Sequence, residues 1–293
     1  MRGRTYPGVL MREFIPRSYL IPMNLLRLTI VLVMVVGSSP PAWNQHSPLP
    51  AAELVQEVVA NELTERGQQS KWMYLIDKRE GKHILTEEQV ETKEGLFYRV
   101  VAIDGSPLNP GQQQQENMRM ARLLRDPSQQ LKLKQAHDDD EQKLQNLMRM
   151  LPETFLYDYD GVEGNCIRLK FRPNSNYSPP TYEARVMHDL AGTILIDSQQ
   201  KRLAKVSGRL ISQVDFGFGL LGHIDSGGTI EIGRVPVGPG EWKTALINIQ
   251  VSGRLMFFKT ISRRQYEIRS EFRAVSGELS LLEASRLLAG FRP

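Results

Sequence analysis

Residues 265–273 read Gln-Tyr-Glu-Ile-Arg-Ser-Glu-Phe-Arg. In this stretch Tyr266, Ile268 and Phe272 alternate with charged residues. Because successive side chains of a β-strand point to opposite faces, the alternation predicts a strand that is buried on one side and solvated on the other. It therefore assigns this part of the chain to an antiparallel sheet, in which one face commonly meets water.

Strand signals recur on both sides of this stretch. The connections between them are short and rich in Gly, Asp and Ser, which favours antiparallel neighbours. About eleven strands are predicted, more than one sheet usually holds, so the sheet must curl, close or stack. The predicted strands are Trp72–Asp77, His83–Val90, Leu96–Ile103, Phe155–Asp160, Cys166–Arg172, Thr193–Asp197, Leu203–Phe216, Thr229–Val235, Thr244–Ser252, Leu255–Ile261 and Gln265–Arg273.

Some of these strands are apolar on both faces. In residues 72–77, Trp72 and Tyr74 alternate with Met73 and Leu75. A strand of this kind needs cover on both sides. We therefore predict an α+β fold, a strongly curved antiparallel sheet that forms an unclosed barrel, with helices covering its concave side.

Helical patterns flank and interrupt the strands. Residues 51–66 carry one apolar stripe with charges opposite, which predicts an amphipathic helix. Residues 107–151 form a helical insertion, in which a second helix is predicted to begin at Asp138, with Glu141 completing a capping box. A short helix is predicted after Pro179, and a terminal amphipathic helix at Leu279–Leu288.

The first 42 residues resemble a signal peptide. They hold five arginines and one glutamate, and the apolar run from Leu28 to Val36 is too short to span a bilayer as a helix, which takes roughly 20 residues. Cleavage is predicted near Ala42, with residues 43–50 as a tether, and an uncleaved anchor is the alternative. Either reading exports the body, and we predict a periplasmic protein.

Charge and cysteine content narrow the class of protein. The chain has a net charge of +4, and this excess resides in the leader, so the body gives no argument for nucleic-acid binding. Cys166 is the only cysteine, so no intrachain disulfide can form and no lipidation cysteine follows the leader. It lies in a predicted strand, where a buried inert thiol is expected.

Two motifs suggest chemistry but lack the context that it requires. Residues 217–222 match Gly-x-Gly-x-x-Gly, but a strand rather than a helix is predicted to follow, so dinucleotide binding is not favoured. The run from His137 to Asp140 is interpreted as a solvated helix start rather than a metal site. No nucleophile–base pair is evident, and we predict neither an enzyme nor a cofactor.

Three segments carry a resemblance to a known family. They are Ala191–Asp197, Lys201–Leu210 and Gly253–Lys259. With the order of elements, they resemble the LolA/LolB/RseB-like, outer-membrane lipoprotein-sorting-like exported proteins, over residues 51–275, leaving 276–293 as a C-terminal helix and tail. The resemblance implies a periplasmic carrier or sensor that binds acyl chains of lipids or lipoproteins, with transient membrane contact.

An apolar ligand site is predicted where glycines relax one strand and aromatics enter a later one. The alternative is that these side chains fill an ordinary core. A second function, an envelope regulatory or structural module that binds a protein partner through the same sheet, also stays open. The predicted cavity residues are Phe216, Phe218, Leu220, Leu221, Phe257 and Phe258.

Overall fold

The computed structural model describes residues 49–66, 71–216, 222–255 and 259–290. These residues form helices and antiparallel strands in alternating groups. The helices are α1 (Ala51–Arg66), α2 (Pro110–Arg125), α3 (Pro127–Thr154), α4 (Tyr182–His188) and α5 (Leu281–Gly290). The strands are β1 (Lys71–Glu80), β2 (His83–Thr92), β3 (Gly95–Ile103), β4 (Ser106–Pro107), β5 (Phe155–Glu163), β6 (Cys166–Pro173), β7 (Leu190–Asp197), β8 (Leu203–Leu210), β9 (Val214–Phe216), β10 (Gly222–Ile224), β11 (Thr229–Gly238), β12 (Glu241–Leu255) and β13 (Lys259–Val275).

The strands build one sheet of thirteen strands in the order β4-β3-β2-β1-β13-β12-β11-β8-β7-β6-β5. β10 pairs with β12 and with β9, off this path. All of the described pairs are antiparallel, and β4 and β5 are the two ends of the order rather than partners. The predicted α+β class with an unclosed antiparallel sheet is therefore confirmed.

The register places two apolar clusters on opposite faces of the sheet. Residues paired across antiparallel strands share a face. The residue pairs can be traced from Met73 on β1 through β13, β12, β11 and β8 to β7, and they show that Met73 and Thr193 lie on the same face of the sheet. The next residue on β7, Ile194, is buried on the opposite face. Helices pack on both faces of the sheet, while the side of β1 that carries Trp72 and Tyr74 packs against Val237 and Phe272 of neighbouring strands, so β1 is apolar on both sides.

The α1 cluster lies under α1 and α4. Its buried members are Ala51, Leu54, Val55, Val58, Val59, Phe155, Leu169, Phe171, Leu190, Ile194, Ile196, Leu210 and Val214. The α5 cluster lies on the other face. Its buried members are Met73, Val90, Phe97, Met120, Leu281, Ala284 and Leu288. The predicted terminal helix thus contributes to the core of the domain.

The helical insertion divides at a different residue from the one predicted. α3 runs unbroken from Pro127 through Asp138, so a helix start at Asp138 is wrong. The break lies at Asp126, whose carboxylate accepts hydrogen bonds from the amides of Ser128 (3.0 Å) and Gln129 (3.2 Å). Proline at the first helical position suits this start because its missing N–H has no partner there anyway.

Two predicted strands have different bounds. Leu203–Phe216 is divided into β8 and β9, and Leu255 ends β12 rather than beginning a separate strand.

The solvated face predicted for residues 265–273 is reversed at residues 267–269 but not at Glu271 and Phe272. A bulge at Glu271 (φ 53°) places Phe272 on the opposite face from Ile268, where Phe272 packs against Tyr74. Ile268 is 40% exposed, while the side chains of Glu267 and Arg269 are 16% and 21% exposed. Register explains this, because Arg269 pairs with Ile76, which is 2% exposed.

Within the described ranges, no helix is long and apolar enough to cross a membrane. The predicted leader, residues 1–42, and residues 43–48 of the predicted tether lie outside the described residues. The cleavage site near Ala42 and the periplasmic location therefore stay predictions.

Candidate functional site

Among the predicted cavity residues, Phe216 is described. It ends β9, is half-buried, and contacts the α1 cluster. Its ring meets that of Tyr182 edge-on, with the centroids 5.3 Å apart. The others lie outside the described residues: Phe218, Leu220, Leu221, Phe257 and Phe258. Their place in a ligand site stays a prediction.

An apolar groove lies between the start of α1 and strands β5 and β6, and we call it the α1–β5 groove. Its volume of about 510 Å³ falls within the roughly 300–1,000 Å³ typical of small-molecule pockets. Aliphatic and aromatic side chains form most of its wall, with one acidic and one basic residue at its rim. The lining residues are Leu49, Leu54, Glu57, Tyr159, Gly161, Val162, Ile167 and Lys201.

A bulge in β5 shapes the outer wall of the α1–β5 groove. The register between β5 and β6 shifts between Tyr159 and Val162, and Gly161 has a φ of 100°, which favours glycine. Val162 is 74% exposed, more than any other large apolar side chain in the described residues. The Tyr159 hydroxyl donates to the Leu49 carbonyl at 2.6 Å, which holds the chain entering α1 against this strand.

The polar residues of the groove are Glu57 on α1 and Lys201 in the β7–β8 turn. Lys201 has a φ of 50°, a left-handed conformation that is uncommon for a residue with a Cβ atom. Its carbonyl accepts a hydrogen bond from Asn61 Nδ2 at 3.3 Å, which ties the turn to α1. Within the described part of the chain, the Lys201 ammonium forms no salt bridge. It can therefore pair with an anionic group that enters the groove.

A buried ion cluster fixes the far end of α1 to the sheet. Glu62 is 2% exposed and accepts hydrogen bonds from Arg202 Nη2 (2.8 Å), from the Leu203 amide (3.0 Å) and from the Arg234 guanidinium. Burial alone would raise the pKa of Glu62, but the two guanidiniums outweigh it and hold the pKa below its usual value. Arg234 also donates to the Trp242 carbonyl at 2.9 Å.

A second buried carboxylate lies on the opposite face, near α5. Glu88 is 1% exposed, and neither of its carboxylate oxygens has a hydrogen-bond partner among the described residues. Burial raises its pKa, and the charges of Arg273 and Arg99 offset this in part. Arg99 itself donates to the Leu288 carbonyl of α5 at 3.2 Å. Glu88 therefore destabilises the core of the domain and does not line the groove.

One histidine–acid–serine contact arises that the sequence did not predict. Asp225 lies 3.2 Å from His223 Nε2 and accepts a hydrogen bond from Ser252 Oγ at 2.7 Å. The carboxylate stands between the hydroxyl and the imidazole, so the imidazole is not placed to take the hydroxyl proton. In the described residues, no group of three or more His, Cys, Asp or Glu side chains could hold a metal ion.

The glycine-rich sequence, His137 and Cys166 have structural roles in the described residues. Gly222 begins β10, so the glycine-rich sequence leads into a strand, as predicted. His137 lies half-buried on α3, and a side chain at Gly95 would meet its Cβ atom at 3.1 Å. Cys166 is half-buried rather than fully buried. Its burial and the nearby Asp197 raise the pKa of the thiol, which keeps it protonated and unreactive.

The predicted site and the observed groove are built from different residues. Tyr159 and Leu49 are 110 residues apart in the chain, so their contact depends on how α1 lies against the edge of the sheet. The local signal was Gly161 inside a strand, since glycine within a strand often marks a bulge. No family model matches the chain, and no curated protein shows significant similarity to it.

Proposed function

We propose that this protein is a non-enzymatic binding protein for the acyl chain of a lipid or lipoprotein, acting in the periplasm as a carrier or sorting factor. The observation that carries the proposal is the α1–β5 groove, which combines a volume of about 510 Å³ with a mainly apolar wall. The resemblance to lipoprotein-sorting proteins is consistent with this function.

The groove suits a ligand with one long apolar part and an anionic end. Val162, Tyr159 and Leu49 expose apolar surface along it, being 74%, 42% and 44% exposed. Covering such surface with a hydrocarbon chain contributes about 25 cal/mol per Å². Lys201 at the rim offers a charge for a carboxylate or phosphate head.

The interior beneath α1 is filled by protein side chains. Leu54, Val58 and Ile196 are 2%, 4% and 0% exposed. The groove beside α1 therefore supplies the binding volume, and a longer chain can enter further only if α1 moves. This places the proposed ligand along the groove rather than in the middle of the sheet.

A matched pair of substitutions on β5 tests the proposal. Val162→Glu puts a carboxylate into the groove, whereas Leu156→Glu puts one on the same strand outside the groove; Leu156 is 39% exposed. Binding of dansyl-labelled undecanoic acid, followed by fluorescence, should weaken at least about tenfold in Val162→Glu, because an unpaired charge is costly against a hydrocarbon chain. It should stay unchanged in Leu156→Glu.

The result that contradicts the proposal is equal binding by both variants, or no binding of the probe by the wild type. Thermal melts of both variants should match the wild type, since each replaced side chain is exposed. Native mass spectrometry of the purified protein gives a second readout, in which a co-purifying lipid supports the carrier function.

One observation favours the second candidate function, an envelope module that binds a protein partner through the sheet. β5 pairs with β6 alone among the described strands, so its outer edge is open to another strand. A stoichiometric protein, rather than a lipid, in the native mass spectrum would support this function. The bulge at Gly161 argues against it, because bulges interrupt strand pairing.

A further inference from the structure

Two hairpins leave the sheet at the same end. Phe216 pairs with Gly222 to close the β9–β10 hairpin. Gly222 also pairs with Leu255, which in turn pairs with Lys259 across the β12–β13 hairpin. The connecting residues, 217–221 and 256–258, lie outside the described residues, and their sequences are Gly-Phe-Gly-Leu-Leu and Met-Phe-Phe. We call the described residues around this row the ribbon end.

Three exposed arginines surround the ribbon end. Arg254 lies one row from the end of the β12–β13 hairpin, opposite Thr260. Arg263 and Arg264 follow on β13, within about 17 Å of the end at about 3.3 Å per residue. None of the three forms a salt bridge with another described residue. Arginines at the other end of the sheet do form ion pairs; for example, Arg168 on β6 contacts Asp160 on β5 at 3.2 Å.

Two acids lie nearby, and within the described residues neither forms a salt bridge with these arginines. Asp225 accepts a hydrogen bond from Ser252 Oγ at 2.7 Å and lies 3.2 Å from His223 Nε2. Asp215 on β9 accepts a hydrogen bond from Gln213 Nε2 at 2.8 Å. Both hydrogen-bond donors are neutral, so both carboxylates keep their charge, but the three arginines still outnumber the two acids at the ribbon end, although the body of the protein as a whole is balanced.

An exposed aromatic side chain lies beside the same row. Tyr182 is 50% exposed, and its ring packs edge-on against Phe216, with the centroids 5.3 Å apart. The Arg185 guanidinium lies 5.4 Å from the centre of the Tyr182 ring. Tyrosine, with an apolar ring and a polar hydroxyl, is enriched where proteins meet the interface of a bilayer.

We propose that the ribbon end docks on the surface of an anionic phospholipid bilayer. The arginines are spread along a ribbon, with Arg263 and Arg264 on opposite faces, so no single small anion can contact all of them. An extended array of lipid phosphates can contact Arg254 and Arg264 together, because these two residues share one face of the ribbon. The proposed acyl-chain function does not enter this argument, because the ribbon end and the α1–β5 groove share no residue.

Vesicle flotation with matched triple variants tests the docking surface. Arg254→Gln/Arg263→Gln/Arg264→Gln removes the charges of the ribbon end. The control, Arg122→Gln/Arg125→Gln/Arg149→Gln, removes three exposed charges from α2 and α3. The full chain is used throughout, so any contribution of the leader is the same in all proteins. Vesicles contain either phosphatidylglycerol with phosphatidylcholine or phosphatidylcholine alone.

The wild type should bind the anionic vesicles and bind phosphatidylcholine weakly. Each arginine near an anionic surface contributes roughly fivefold in affinity, so losing Arg254 and Arg264 from one face should weaken binding by the ribbon-end variant at least about 25-fold. The control should stay within about threefold of the wild type. Added inorganic phosphate, at matched ionic strength, should not compete.

Three results would overturn the proposal: no binding of anionic vesicles by the wild type, equal loss in both triple variants, or equal binding of neutral and anionic vesicles. Circular-dichroism melts check that the variants fold. If the ribbon-end variant does not melt cooperatively, Arg254→Gln alone takes its place, with an expected loss of about fivefold and with Arg149→Gln as its control.

Discussion

Replacing Glu62 with glutamine tests whether the buried ion cluster holds α1 to the sheet. The carboxylate is 2% exposed, and Arg202 and Arg234 are 7% and 10% exposed as side chains. Glutamine keeps the size of the side chain but removes its charge. The variant therefore removes a buried anion that pairs with two guanidiniums, while the packing of α1 is little changed.

The expected loss is large because one buried carboxylate pairs with both arginines. Removing one partner of a buried ion pair costs about 3–5 kcal/mol, since the remaining charge stays desolvated. For a domain of this length, that loss lowers the melting temperature by roughly 6–20 °C. Glu57→Gln, an exposed change on the same helix, should alter the free energy of unfolding by less than about 0.5 kcal/mol.

Urea unfolding at several pH values supplies the measurement. The pKa of Glu62 is lowered in the folded state, so its contribution is fully present above its unfolded pKa of about 4.3 and is lost as the pH falls through the folded pKa. The difference in the free energy of unfolding between the wild type and Glu62→Gln should therefore become smaller at acidic pH. A gap below about 1 kcal/mol at neutral pH, or one that does not change with pH, would refute this reasoning.

Two further substitutions should raise stability. Glu88→Gln removes a buried carboxylate whose pKa is raised. The wild type should therefore lose stability as the pH rises above about 4.3, whereas the variant should not. At neutral pH the variant should be about 1–3 kcal/mol more stable in urea unfolding. Lys201→Gly relieves a left-handed backbone and should gain up to about 1 kcal/mol, yet bind the fatty-acid probe more weakly than the wild type. A stability loss in either variant would contradict the assignment.

Local periodicity predicted most of the fold. The apolar stripe of residues 51–66 became the side of α1 that is buried, with Leu54, Val55 and Val58 in the core. The short polar connections between strand signals led to an antiparallel sheet. Both features depend on residues that are close in sequence, where spacing alone fixes which side chains share a face.

The errors arose where the cover of a face is decided by distant elements. Alternation in residues 265–273 could not say which face is covered, and it did not reveal the bulge at Glu271 that places Ile268 and Phe272 on opposite faces. The face of Arg269 is shared with Ile76 on β1, a strand almost two hundred residues away, and that pairing reversed the expected exposure. The start of α3 is a different case, because Asp126 and Pro127 offered a local signal that outweighs Asp138 and Glu141.

The groove and the ion cluster could not be predicted from the sequence for the same reason. Glu62 meets Arg202 across 140 residues and Arg234 across 172. No spacing rule relates such positions, because their contact exists only once α1 lies across β8 and β11. Single charged residues in a helix are ordinarily solvated, so nothing local marked Glu62 as buried.

The two ends of α1 have different roles, and this separates stability from binding. Leu54 borders the groove near the start of the helix, and Glu62 lies eight residues later, about 12 Å along the axis. Substitutions at Val162 act on the groove without touching the ion cluster, whereas Glu62→Gln loosens the helix at its other end. If Glu62→Gln also weakens probe binding, the groove depends on a firmly held α1. If binding is unchanged, the wall formed by β5 and the chain at Leu49 is sufficient.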